Sequence, residues 1–234
     1  MSYGYEGAMI AADAQADARA TFIKKTYGHL AGAILLFTVL EAALVNIPGI
    51  ENVIFPMISS QIMWLVVMGL FMVVSWVATM WAQSSTSKGM QYMGLGLYVV
   101  AEAVIFLPLI YVAALLTDKS VLPTAAILTL AVSGGLTAAV LVTGKDYSFL
   151  GPILAVAGLV AMGFIIAACI FGFTLGLIFS FVMVAFASAC ILYQTSNVLH
   201  HYNTEQYVAA ALALFAAIAL LFWYVLRIAM ASRD

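Results

Sequence analysis

Apolar residues occur along the chain in seven long runs that are separated by short polar stretches. A run of about 20 apolar residues crosses the roughly 30 Å hydrocarbon core of a bilayer as a helix. Outer-membrane strands instead alternate apolar and polar residues in segments of about ten. Because a backbone in lipid must satisfy its own hydrogen bonds, each run is predicted to be a membrane-spanning helix. The predicted spans are residues 26–47, 62–82, 90–113, 121–142, 149–171, 174–198 and 207–230.

The composition narrows the class of protein. Hydrophobic residues make up 66% of the 234 residues and charged residues 8%, whereas soluble domains are about 45–50% apolar and about 25% charged. A soluble enzyme and a disordered chain are therefore excluded. The net charge of −2 gives no polybasic field, so no nucleic-acid partner is expected. The predicted fold class is an all-α integral membrane protein, a bundle of seven transmembrane helices with the lipid bilayer around it.

The charged residues suggest an orientation. Lys and Arg favour the side of the N-terminus over the opposite side by five to three, which predicts a cytoplasmic N-terminus and an external C-terminus. Residues 1–25 are polar and Ala-rich and are predicted to form a cytoplasmic tail or a short surface helix, followed by a membrane domain at 26–234. The tail is either inert or a contact for a cytoplasmic partner.

Motifs of soluble enzymes are missing from the sequence. It has no Gly-rich phosphate loop, no H-E-x-x-H and no Cys-rich metal spacing, so we expect no catalytic residue, metal site or cofactor. His200, His201 and Glu205 follow the sixth span, where a solvated loop is expected in preference to a metal site.

One acidic residue lies near the centre of a predicted span. Ionisable groups in hydrocarbon are costly and are candidates for function, and Glu102 is in the middle of the third span. Pro108 frees the carbonyl of Val104 one turn away. A carboxylate and a free carbonyl are suited to hold a cation or a proton. The alternative is a protonated acid that is bonded to a neighbouring helix.

Four further polar residues lie inside spans. Glu41, in the outer half of the first span, is expected to extend outward or to pair with Arg227 near the end of the seventh. Gln194 and Asn197 share one face at the end of the sixth span. They mark either the exit of that helix to water or the lining of a cytoplasmic gate.

Three segments carry a family resemblance. They are GKDYSFLG at 144–151, LYQTSNV at 192–198, and LRI at 226–228 with the closing SRD. With the seven-span layout, they resemble the Bax inhibitor-1 family. The serine–asparagine form of the second segment and the SRD ending resemble a bacterial branch that includes a modulator of the membrane-anchored AAA protease of the inner membrane.

The resemblance implies helices packed around a central seventh span. It also implies that some members leak calcium in a pH-dependent way, through an aspartate in the sixth-span motif paired with one in the seventh span. Here Gln194 and Ala217 occupy those two positions, so the acid pair is absent. Lys145, Asp146 and Arg227 match the family pattern.

Two functions follow as expectations. The first is modulation of a membrane-anchored AAA protease, or membrane-protein quality control, in the bacterial inner membrane. The second is a pH-sensitive Ca²⁺ leak channel, in which Glu102 supplies a carboxylate because it lies at the depth of Ala217.

Overall fold

The computed structural model describes residues 9–84 and 87–232. Within these ranges the chain forms eight α-helices, and seven of them are long and apolar enough to cross a membrane. The predicted all-helical, seven-span fold is therefore confirmed. The helices are α1 Ala16–Val45, α2 Glu51–Ser59, α3 Gln61–Ala82, α4 Lys88–Tyr111, α5 Val121–Thr143, α6 Leu150–Phe171, α7 Gly176–His200 and α8 Tyr207–Ala231.

Three elements differ from the sequence-based expectation. Helix α1 begins at Ala16, ten residues before the predicted first span, so part of the predicted tail is helical. The short helix α2 lies in the connection to the second span and was not predicted, because nine residues are too few to cross a bilayer. Helix α4 continues into a π-helical turn at Val112–Leu116, so this span ends beyond its predicted limit.

Helix α8 is the centre of the bundle. It contacts α1, α3, α4, α5 and α7, and it has more buried residues than any other helix described. The central seventh span implied by the resemblance is thus present. Helix α6 lies outside this group of helices, because it contacts only α3 and α7 closely, and it has no buried residue. We call the end where α1, α4, α6 and α8 begin the N-terminal end of the bundle.

Aromatic side chains join three parallel helices, α1, α4 and α8. The rings of Phe37 and Phe106 meet edge to face with centroids 5.2 Å apart. Phe106 also stacks on Phe222 at 5.8 Å and meets Trp223 edge to face at 4.9 Å. Such pairs contribute about 0.5–1.5 kcal/mol each beyond the burial of their area. They set the relative depth of the three helices.

Helices α3 and α4 approach most closely at a glycine. A Cβ atom on Gly94 would lie 2.5 Å from the carbonyl oxygen of Ala78 and 2.5 Å from the backbone nitrogen of Ala82. Both alanines are fully buried. Because the obstructing atoms belong to a helix backbone, no side-chain rotation can make room.

We therefore expect Gly94→Ala to lower the free energy of unfolding by about 1–3 kcal/mol, the usual effect of overpacking. The matched control is Gly96→Ala on the same helix, where a Cβ meets no atom within 4 Å. That variant should be neutral, or more stable by up to about 1 kcal/mol, since alanine favours a helix. Thermal unfolding of both in detergent is the measurement, and equal effects would contradict the close approach.

Candidate functional site

The candidate site is the α7–α8 loop, residues 201–206, at the N-terminal end of the bundle. The segment before α1 binds to one side of it. Ile10 and Asn203 form an isolated antiparallel bridge. The backbone N–H of Ala11 donates to the carbonyl of Tyr202 at 2.9 Å, and that of Thr204 donates to the carbonyl of Met9 at 3.0 Å. Residues 9–11, which belong to the predicted tail, are therefore attached to the loop.

The α5–α6 loop is bonded to the end of α7 on the other side. The Asp146 carboxylate accepts hydrogen bonds from the Ser148 backbone N–H at 2.8 Å and the Ser196 hydroxyl at 3.0 Å. The Ser196 oxygen in turn accepts from the Tyr147 backbone N–H at 2.8 Å. His201 Nε2 lies 3.6 Å from the same carboxylate oxygen. The backbone N–H of Ser148, followed by the Ser196 hydroxyl, holds the pKa of Asp146 down at about 2.

Two resemblance motifs, 144–151 and 192–198, are the two halves of this contact. Besides the Asp146–Ser196 bond, Gly151 lies against Tyr193, and a Cβ on Gly151 would be 3.1 Å from its ring. His200 Nε2 is hydrogen-bonded to the Gly144 carbonyl at 3.1 Å. His201 is half-exposed in the loop that was predicted to be solvated, whereas His200 is the last residue of α7, and both histidines contact the α5–α6 loop. Lys145 is exposed.

The loop is also attached to α4. Lys88 Nζ lies 2.7 Å from a carboxylate oxygen of Glu205 and donates to its backbone carbonyl at 2.8 Å. The hydrogen bond from Lys88 to the Glu205 carboxylate lowers the pKa of Glu205. Lys88 Nζ also lies 4.6 Å from the centroid of the Tyr207 ring. Because both charged side chains are partly exposed, the ion pair itself contributes about 1 kcal/mol or less. Its geometric effect is to tie the start of α8 to the start of α4.

The two positions of the missing acid pair hold uncharged groups. The Gln194 side-chain oxygen accepts a hydrogen bond from the Asn197 amide at 3.4 Å, so these two amides are partners. Ala217 packs with Ala187, Ile191 and Leu221 in a cluster between α7 and α8. Neither position carries a proton that titrates near neutral pH.

Glu102 is buried, but it does not lie beside Ala217. Its carboxyl interacts with the Tyr98 hydroxyl, and the Tyr98 ring meets Phe215 of α8 edge to face at 6.2 Å. Ala217 packs against α7 instead. The side chains of Phe215 and Ala217, two residues apart on α8, point about 200° apart around the helix axis. The shared depth predicted from the sequence therefore does not bring Glu102 and Ala217 into one site.

Glu41 and Arg227 do not form the pair considered for them. Glu41 is 4% exposed, and neither of its carboxylate oxygens has a hydrogen-bond partner in the described part of the chain. Arg227 is half-buried and interacts with Tyr224. No described carboxylate lies within 4.0 Å of its guanidinium. Glu41 lies on the buried face of α1 together with Ala33 and Phe37, so its side chain packs among apolar groups and does not pair with Arg227.

No sequence pattern predicts the attachment of residues 9–11, because a single bridge has no periodicity. The resemblance did single out Asp146 and the segment that contains Ser196, but it did not indicate that they bind each other. No three His, Cys, Asp or Glu side chains within residues 9–84 and 87–232 are arranged to hold a metal ion.

Comparison with known proteins gives a consistent result. The family model described as "Inhibitor of apoptosis-promoting Bax1" matches residues 19–234. A BI1-like protein of Arabidopsis thaliana is 29% identical over 212 residues, which cover 88% of this chain and 79% of that protein. The uncharacterized protein PA2604 of Pseudomonas aeruginosa is 37% identical over 110 residues, covering 47% of this chain and 49% of that protein.

The low pKa of Asp146 predicts a pH dependence of stability. Its pKa in the folded protein is about 2, below its ordinary value of 3.8. The charged form therefore stabilises the fold above about pH 4, and this contribution is lost as the pH falls toward 2. We expect Asp146→Asn to be less stable than the parent at pH 6, with a difference that shrinks between pH 4 and pH 2.

Thermal unfolding in detergent across this pH range checks the prediction. The control is Asp13→Asn, since Asp13 is also exposed and at the same end of the bundle. A parent–variant difference at Asp146 that stays constant down to pH 2 would show that its charge does not hold the loop.

Proposed function

The chain belongs to the Bax inhibitor-1 family, and from this we propose that it is a membrane-homeostasis protein that modulates a membrane-anchored AAA protease and does not conduct ions. It lies in the bacterial inner membrane, with the N-terminal end of the bundle in the cytoplasm, in keeping with the excess of Lys and Arg at that end. Its binding surface is the α7–α8 loop with the segments attached to it.

The observation that carries this proposal is the convergence of three connections on the α7–α8 loop. Residues 9–11, the α5–α6 loop and Lys88 of α4 all bond to this loop or to the helix ends beside it. An AAA protease pulls its substrates from a loose terminal segment. A segment that is paired by backbone hydrogen bonds resists this, so the protein binds the protease without being extracted.

The interior supports a role without ion flow. Gln194 and Ala217 replace the acids that the resemblance associates with a calcium leak. Ala217 is enclosed by apolar side chains, and α8 fills the centre of the bundle. A cation on this axis would meet no carboxylate at either position.

The second candidate is a pH-sensitive calcium leak. It is favoured by Glu102 and Glu41, which are 6% and 4% exposed inside spans. Buried ionisable groups in a membrane often mark an ion or proton pathway.

The first prediction concerns ion flow. In proteoliposomes from pH 6 to 8, we expect no calcium flux above that of empty liposomes, for the parent and for Glu102→Gln alike. The reason is the absence of titratable groups at the two family positions. Flux that changes with pH in the parent and loses this dependence in Glu102→Gln would establish the leak and overturn the proposal.

The second prediction concerns the protease. Ala11→Pro removes the backbone donor that bonds to Tyr202 and should release the segment before α1. We expect this variant to be degraded by the purified membrane-anchored AAA protease, while the parent co-purifies with it intact.

The matched control is Ala12→Pro, because Ala12 is exposed and its amide makes none of the described hydrogen bonds. It should remain as resistant as the parent. If the parent does not associate with the protease, the proposed function fails. If both proline variants are as resistant as the parent, the attachment of residues 9–11 is not the protection.

A further inference from the structure

A groove runs along the outside of the bundle between α1 and α4, starting at the N-terminal end. Its volume is about 650 Å³, within the roughly 300–1,000 Å³ typical of ligand sites. Its floor is formed by Ala33, Leu95 and Val99, which are buried. Gly28 and Gly32 line it and are exposed, so the groove opens sideways to the surroundings of the bundle.

The two ends of the groove differ in chemistry. Lys24 and Lys25 line the end nearest the start of α1. Among the described residues, neither lysine has a carboxylate within 4.0 Å. Lys25 Nζ lies 5.1 Å from the centroid of the Tyr207 ring, and Glu205, which interacts with Lys25, has its carboxylate already bonded to Lys88. Among the described residues this end therefore carries excess positive charge, and beyond His29 and Tyr92 the lining toward Leu36 is apolar.

The dimensions of the groove match one lipid. Its lining extends along α1 from Thr21 to Leu36, about 22 Å at about 1.5 Å per residue. One leaflet of the hydrocarbon core is about 15 Å thick. The groove thus reaches from the headgroup region to the middle of the bilayer, with its lysines at headgroup depth.

The groove suits a thin ligand better than a partner helix. A helix with side chains is about 10 Å wide, so most of it would lie outside the groove. A single acyl chain is thinner. The absence of side chains at Gly28, Gly32 and Gly96 leaves room for it, since a Cβ at any of the three would meet no protein atom within 4 Å.

We propose that this groove binds one anionic phospholipid, with its phosphate at Lys24 and Lys25 and one acyl chain along Gly28, Gly32 and Gly96. The lysines select the charged headgroup and the apolar lining holds the chain. The bound lipid would fill the space between α1 and α4 next to the attachment of the α7–α8 loop. This proposal does not depend on the function proposed above.

The test is native mass spectrometry of the full chain in detergent, titrated with phosphatidylglycerol or with phosphatidylcholine of the same acyl chains. We expect phosphatidylglycerol to bind more tightly. Lys24→Gln should weaken its binding about fivefold, the usual effect of one lysine at an anionic surface, and the Lys24→Gln/Lys25→Gln double variant should weaken it further. Lys145→Gln is the control, because Lys145 is exposed at the same end but outside the groove.

The apolar part is tested by filling the groove. Gly32→Leu should weaken both lipids on the order of tenfold, which corresponds to the loss of about two buried methylene groups. Gly163→Leu on α6 is the matched control, since Gly163 is also exposed and unobstructed. Unchanged thermal unfolding confirms that both leucine variants are folded, and Gly96→Leu repeats the test from α4.

Several results would overturn the proposal. Equal affinity for the two lipids in the parent would remove the role of the lysines. Glycerol 3-phosphate binding as tightly as phosphatidylglycerol would show a phosphate site without an acyl chain. Parent-like binding in both Gly32→Leu and Gly96→Leu, or an equal loss in Gly163→Leu, would show that the lipid binds elsewhere.

Discussion

The structure depends on the close approach of helix backbones where side chains are small. Lipid is as apolar as the helices, so no hydrophobic force holds one span against another, and packing must do so. Gly94 lets α4 lie directly on the backbone of α3 at Ala78 and Ala82. Helix α8 is rich in alanine and is contacted by five other spans. The aromatic rings of Phe37, Phe106 and Phe222 then fill the wider spaces.

This packing places most of the described polar contacts between elements at one end. Helix α8 begins at Tyr207, directly after the α7–α8 loop. That loop is bonded to residues 9–11, to the α5–α6 loop through His201, and to α4 through Lys88. Each bond is modest, because most of the groups are partly exposed and net hydrogen-bond contributions are about 1 kcal/mol. Their joint effect is to fix four segments that are distant in sequence. The packing of the spans positions these contacts, and the contacts in turn fix the connections.

Much of the fold was predictable, because a hydrocarbon layer of known thickness makes span length a strong signal. All seven spans lie within observed helices apart from small differences at their ends. Depth was also predictable by counting residues, whereas rotation was not. Glu102 and Ala217 share a depth, yet Ala217 faces α7 because residue direction on a buried helix depends on which neighbours pack against it. Glu41 and Arg227 failed to pair for the same reason.

Contacts between loops are harder to predict than the depth or the rotation of a residue on a helix. Asp146 and Ser196 are 50 residues apart, and no periodicity links an exposed loop to a helix end. Their shared family pattern marked both as important without saying that they touch. Two ion pairs between elements in the described part of the chain, Glu205 with Lys88 and Asp146 with His201 when its imidazole is protonated, lie at the N-terminal end, while Gln194 and Ala217 place no charge at the two family positions. Since a change of pH or a charged partner acts on a protein through its ionisable groups, these pairs make the N-terminal end sensitive to both, in addition to the buried carboxyl groups of Glu41 and Glu102 inside the spans.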